Sequence, residues 1–205
     1  MTKQASMDGK IEVLGQEWLS QGFMKLAKFT VRHERFDGSM IGPFTREIVM
    51  RTTAVGVLPY DPVADKILLI EQFRIAAHLA GMPAWQREVI AGISDKDETP
   101  QELARREALE EANCQVTDLA EMTRFLLSPG MSNEVLILYC GRMDSSKMAA
   151  GVYGLATEHE DIRSTLYDAK EIPALIEHGT TGNGPLTLAL YWMQANRARL
   201  RKLWS

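Results

Sequence analysis

Residues 91–116, AGISDKDETPQELARREALEEANCQV, place five glutamates and two arginines in one short stretch that also carries helix punctuation. Thr99 can cap a helix, Pro100 suits its first position, and Glu102 stands where a capping box needs its reciprocal acceptor. The spacing predicts a helix that begins at Pro100. At about 100° per residue, Glu107 and Glu111 lie one turn apart on one face, with Glu110 beside them. Ala104, Ala108 and Ala112 form an adjoining stripe of small side chains, which lets such a helix approach a sheet closely. Carboxylates one turn apart repel mildly unless a cation lies between them. A hard divalent ion such as magnesium favours carboxylate, carbonyl and water oxygens. Arg106, one turn before Glu110, can pair with it. Taken alone, EALEEA also reads as a solvated, salt-bridged surface helix, so the flanking residues must decide between the two.

The rest of the chain narrows the choice. Its 205 residues, 45% apolar and 24% charged, suit an ordinary globular protein with one sizeable core and a small appended unit. A formal charge of -4 gives no footprint for a polyanion, so nucleic acid is not expected as a partner. The terminal RARLRKLW complements a helix dipole. No apolar run reaches the roughly 18 residues of a membrane span, and MTKQASMDGKIEV lacks the apolar centre of a secretory signal. The expectation is a cytoplasmic enzyme or binding protein that does not enter a membrane. Cys114 and Cys140 are too few for a disulfide framework or a zinc cluster, and both are expected to be reduced and buried.

Residues 11–50 read as short strands, IEVLGQEW, FMKLAKFTVRHERF and TREIVMR, with turns around DGSMIGP. A second set begins at TTAVGVLPYD and DKILLIEQFR, joined by a turn at 61–65. AHLAGMPAWQ reads as a loop and REVIAGI as a short run. The acidic helix follows, then two strand-like runs around a Ser-Pro-Gly turn. SSKMAAGVYGLATEHED reads as a mobile loop. The end is helical, with AKEIPALIEHG short and a long segment started by Pro185. Mixed strands with helices packed on them imply an α+β fold or three-layer sandwich, preceded by a small antiparallel β unit. The expected division is 1–50 and 51–205.

Gly92, Glu98, Arg106, Glu107, Glu110 and Glu111 together match G-x5-E-x7-R-E-U-x-E-E-x-G-U, and on that match the chain resembles the Nudix hydrolases. Two positions depart from the pattern. Asn113 replaces the glycine that ends the helix, but asparagine is the next-best residue for a left-handed cap. Asp95 and Asp97 replace the commoner acidic-glycine flavour of the loop. Pro129 in LLSPG, with REIVMR, LPYDPVADKILLIEQFRIAAH, RREALEEA and EHEDIR, extends the resemblance to the ADP-ribose pyrophosphatase branch of that family.

The resemblance implies a Nudix α/β/α sandwich with a mixed sheet. It also implies a homodimer that cleaves the diphosphate of ADP-ribose to AMP and ribose 5-phosphate, using magnesium or manganese. Glu107, Glu111, Glu160, Glu98 and the carbonyl of Ala91 would hold the metal. Glu158 would take the proton from the attacking water, Glu110 would support the site, and Arg106 would orient the carboxylates. Arg46 and Arg74 would clamp the diphosphate, and Phe23 would stack on adenine in a site shared between two subunits. The alternatives are a hydrolase of another nucleoside diphosphate sugar such as GDP-mannose, and a sensor that binds such a compound without turnover. Trp18 and Trp85 read as packing residues.

Overall fold

The computed structural model describes residues 9–94, 97–149, 151–155, 157, 159–178 and 182–204. The chain divides into two compact units, Met1–Thr52 with Leu126–Val135, and Thr53–Phe125 with Leu136–Ser205. The division expected from the sequence did not assign 126–135 to the first unit.

The first unit is an antiparallel sheet of β1 (Ile11–Gln21), β2 (Lys25–Glu34) and β3 (Met40–Met50), in that order. Its second turn is set by Asp37, whose Oδ1 accepts from the Ser39 N–H at 2.9 Å, and by Gly38 at φ 83°. β3 starts within the segment read as a turn and carries Pro43. The 126–135 segment is tied to the end of β3. The Val49 N–H donates to the Met131 carbonyl at 2.8 Å and the Arg51 N–H to Asn133 Oδ1 at 2.8 Å, and Arg51 faces Glu134 at 3.6 Å. Among the described residues of this unit only Ala27 is buried, while Ile11, Val13, Leu14, Trp18 and Leu19 are exposed. A three-stranded sheet without a covered apolar face has little to stabilise it alone.

The second unit is an eight-stranded mixed sheet between helices. Its strands are β4 (Ala54–Asp61), β5 (Lys66–Phe73), β6 (Trp85–Glu88), β7 (Ile90–Ile93), β8 (Leu119–Leu126), β9 (Val135–Arg142), β10 (Gly151–Tyr153) and β11 (Ile162–Asp168). The main path is β10-β11-β5-β4-β9-β8, with β4 and β9 parallel. Next to their turn β4 and β5 pair directly, Tyr60 with Ile67 and Asp61 with Lys66. Beyond that they diverge, and the 85–93 segment fills the fork. β6 pairs with β5, and after Val89 the chain changes partner so that β7 pairs with β4.

Every residue of β4 is buried, as expected for a strand covered on both faces. The alternation of β4, β5 and β9 sorts these side chains into two cores. Val55, Val57, Leu68, Ile70, Ile137 and Tyr139 meet α2 (Pro100–Ala112). Leu58, Tyr60, Ile67, Leu69, Leu138 and Cys140 meet α3 (Ile172–Glu177) and α4 (Gly184–Trp204). This is the α+β sandwich the sequence implied. A short helix, α1 (Ile75–Leu79), and strand β10 appear where the sequence read loops. No described helix is long and apolar enough to cross a membrane. Both cysteines are buried and unpaired, and burial pushes the Cys114 thiol up to about 12 and raises Cys140 as well.

Helix α2 begins and ends as its sequence dictates. Thr99 Oγ1 accepts from the Glu102 N–H at 3.3 Å, and the Glu102 carboxylate accepts from the Thr99 N–H at 2.8 Å. Asn113 closes the helix in the left-handed region, at φ 47° and ψ 37°. Cys114 N–H then returns to the Ala108 carbonyl at 2.9 Å. Asn113→Gly should stay within about 1 kcal/mol of the parent stability, whereas Asn113→Val should lose about 1–2 kcal/mol in urea denaturation. Equal stability of parent and valine variant would show that the left-handed cap imposes no constraint.

Candidate active site

The small-residue stripe decides how close α2 comes to the sheet. Ala104, Ala108 and Ala112 are each 1% exposed or less, and the helix lies against β7. The approach is so close that a Cβ placed on Gly92 would fall on the Glu107 carboxylate. A side chain at 92 would therefore displace the Glu107 carboxylate from this place. On the same face the Glu111 carboxylate, 3% exposed, accepts from the backbone N–H of Ala91 at 3.2 Å. Capping box, small stripe and glycine act together to lodge two carboxylates of one helix face against the end of a strand.

Arg106 gathers the remaining acids. Its Nη2 and Nε donate to Glu98 at 2.8 and 3.2 Å, its Nη1 donates to Glu110 at 2.7 Å, and Nη1 also stands 3.0 Å from Glu107. The hydrogen bonds to Glu98, with the charges of Glu107 and Glu110, raise the guanidinium above its ordinary value against the effect of burial. One planar cation thus fixes three carboxylates beside the buried fourth.

Among the described residues no cation bonds to Glu111 in that way. Burial first, and then the charge of Glu107, push its carboxyl up to about 9; Glu160 adds to the rise, while the Ala91 N–H and Arg74 oppose it. Glu160 comes from the loop before β11, where its Oε2 accepts from the Leu155 N–H at 3.0 Å and its Cβ lies against Gly154 at φ 103°. Among the described residues no three His, Cys, Asp or Glu side chains are already drawn together as a metal cage. The donors do fit a hard divalent cation. Glu107 and Glu160 both repel a buried Glu111, all three offer oxygen, and a positive ion among them would relieve that repulsion.

Arg74 follows β5 and is held by Glu88 on β6, Nη2 to Oε2 at 2.8 Å and Nε to Oε1 at 3.1 Å. Burial disfavours the Arg74 charge, but Glu88, with Glu111 and Glu160, holds its pKa above the ordinary value. Arg74, Glu88, Glu111 and Glu160 therefore share one electrostatic neighbourhood in the second unit. Glu88 was missed in the sequence because REVIAGI read only as a short run. The available signal was Gln86 and Glu88, two polar residues two apart on a buried strand.

Phe23 and Arg46 belong to the first unit. Phe23 occupies the turn between β1 and β2, 87% exposed, with the Arg51 guanidinium 5.5 Å from its ring centroid. Arg46 is exposed on β3 and lies over the Phe44 ring at 4.5 Å. Trp18 and Trp85, read as packing residues, are 43% and 51% exposed. Glu158 and Asp95 lie outside the described residues.

The NUDIX domain matches residues 50–187, and the chain belongs to the Nudix family as a pyrophosphohydrolase. It is 36% identical to the ADP-ribose pyrophosphatase of Escherichia coli K12 over 95% of this chain and 93% of that protein. The ADP-ribose pyrophosphatase of Haemophilus influenzae is also 36% identical, over 95% of this chain and 90% of its own length. The GDP-mannose pyrophosphatase of Yersinia enterocolitica is 29% identical over 92% of this chain and 97% of its own. The fold matches the crystal structure of an ADP compounds hydrolase with a TM-score of 0.66, at 17% identity, over 92% of this chain and 97% of that one.

The raised value of Glu111 has a measurable consequence. Its folded pKa of about 9 exceeds the unfolded value of about 4.3, so the folded state binds the extra proton. The associated stability is full below the unfolded value and is lost as pH rises through the folded one. In excess chelator Glu111→Gln should therefore melt above the parent protein at pH 8.5, with the gap closing toward pH 5. Each kcal/mol is worth about 2–4 °C in a chain of this size. A gap that stays constant with pH would show that Glu111 is not the group responsible.

Proposed function

We propose that this protein hydrolyses ADP-ribose to AMP and ribose 5-phosphate in a divalent-metal-dependent reaction, magnesium being the expected ion and manganese a substitute. The observation that carries this reading is the 36% identity to ADP-ribose pyrophosphatases over nearly the whole chain. Identity to the GDP-mannose enzymes is lower, at 29%. The buried, mutually repelling carboxylates support the metal dependence. Glu107, Glu111, Glu160 and Glu98, with the Ala91 carbonyl, would hold the ion, which when bound neutralises diphosphate charge and lowers the pKa of water.

The chain's own residues account for the rest. Arg74 and Arg46 bind the diphosphate, where planar guanidinium groups suit phosphate oxygens. Phe23, already exposed, stacks on adenine. Arg106 holds Glu98, Glu107 and Glu110 in place. Glu158 accepts the proton as the water oxygen bonds to phosphorus and the bridging P–O bond breaks. Turnover of a panel of nucleoside diphosphate sugars with magnesium, with products identified, tests the reading. ADP-ribose should be cleaved fastest. Preference for GDP-mannose would change the substrate, and tight binding without product would make the protein a sensor. Glu158→Gln should lower kcat about 10²–10⁴-fold with little change in KM, and a variant within a few-fold of the parent would move the base to another carboxylate such as Glu110.

The reading includes a cytoplasmic homodimer in which the first unit completes the site. The exposed apolar side chains of β1, in a unit where Ala27 alone is buried among the described residues, support a second copy as their cover. Removal of the residues before Arg51 should abolish both dimer and activity. An active monomer, seen by light scattering and assay, would refute the shared site.

A further inference from the structure

The carboxylate of Glu88 collects more donors than a simple ion pair needs. Glu88 is 6% exposed and on β6. Its Oε2 accepts from Arg74 Nη2 at 2.8 Å and from Gln72 Nε2 at 3.1 Å, and its Oε1 accepts from Arg74 Nε at 3.1 Å and from Asn183 Nδ2 at 3.1 Å. Gln72 sits diagonally across the β5–β6 ladder, since it pairs with Gln86 while Glu88 pairs with Ile70. Asn183 comes from the far end of the sequence and is committed at both ends of its amide. Its Oδ1 accepts from the Leu186 N–H at 3.0 Å and caps α4, while its Nδ2 holds Glu88. The carboxylate therefore cannot turn without breaking its bonds to the residue that caps α4 and to a cross-strand amide.

Arg74 is the beneficiary. Its side chain is 46% exposed, so in the absence of Glu88 the long stem would sample many rotamers. The bidentate contact engages Nε and Nη2 and leaves Nη1 outside it. We propose that Glu88 is a positioning residue that, with Gln72 and Asn183, fixes the Arg74 guanidinium in advance for a diphosphate, making the N-terminus of α4 part of the substrate clamp. The proposal rests on the reading of Arg74 as a diphosphate ligand. Preorganising one side chain of this type is worth about 3–10-fold in affinity. A second role for Glu88, simple neutralisation of Arg74, makes the opposite prediction, because removing it would free positive charge and tighten anion binding.

A double-mutant cycle decides between them. Glu88→Gln keeps the shape and removes the bidentate acceptor. Asn183→Ser retains a good helix cap but is too short to hold Glu88, and it carries the test if the first variant folds poorly. Arg74→Ala supplies the second arm. KM and kcat are measured on the diphosphate that the protein cleaves fastest, and the Kd for ADP is measured by calorimetry, which needs no turnover. Glu88→Gln should raise KM and the ADP Kd about 3–10-fold with kcat within about two-fold, and Asn183→Ser should act in the same direction more weakly. In the Arg74→Ala background neither should have a further effect beyond about two-fold. An undiminished effect in that background would assign Glu88 a merely structural role, and tighter ADP binding would assign it neutralisation. Either result overturns the proposal, as does an Arg74→Ala protein that binds ADP as well as the parent. Coupled loss of ADP binding in a protein that does not cleave ADP-ribose would uphold the clamp and reject only the substrate.

Discussion

The second unit depends on one close approach, that of α2 to β7. Only because alanines line the helix and a glycine faces it can Glu111 reach the Ala91 N–H and Glu107 lie over Gly92. Burying a carboxylate in this way is unfavourable unless a partner compensates, and one backbone N–H does not do so fully. The cost shows in the raised pKa of Glu111. Arg106 pairs with Glu107, whose charge adds to that cost. Helix start, alanine stripe, glycine and arginine are therefore one constraint expressed at four positions, and a change in any of them would be felt at the buried carboxylate.

The fork between β4 and β5 places the remaining machinery. Because the 85–93 segment changes partner at Val89, its first half presents Glu88 toward Arg74 at the end of β5. Its second half delivers Ala91 and Gly92 to α2. A single strand thus serves the arginine and the acids within a few residues. α4 braces this arrangement from the other face. Asn183 holds its first turn to Glu88, while Arg197 near its other end pairs with Asp65 in the β4–β5 turn, where the Tyr60 hydroxyl also donates to Asp65 at 2.8 Å.

Local chemistry was legible in the sequence, and long-range partnership was not. The capping box at Thr99, the left-handed role of Asn113 and the pairing of Arg106 with Glu110 each follow from residues within one or two helical turns, and each stands in the structure. The β4–β5 turn was legible for the same reason. Arg106 bonding to Glu98, across a loop, entered only as a family pattern. Glu88 could not be paired with Arg74 or Asn183 from spacing, because strand register and a helix cap from the far end of the chain bring them together. The attachment of 126–135 to β3, and the exposure of Trp18 and Trp85, likewise depend on which surfaces are covered in three dimensions. Helix α1 and strand β10 are short enough that their periodicity gave no signal.

The two buried thiols have a practical corollary. A thiol reagent attacks the thiolate, and both Cys114 and Cys140 are withdrawn from solvent and held protonated well above neutral pH. A cysteine introduced at an exposed position, such as Val63 in the β4–β5 turn, would then be the dominant reactive sulfur. The native background thus accepts a single spectroscopic label without removal of either natural cysteine, and the two hydrophobic layers they help to fill stay intact.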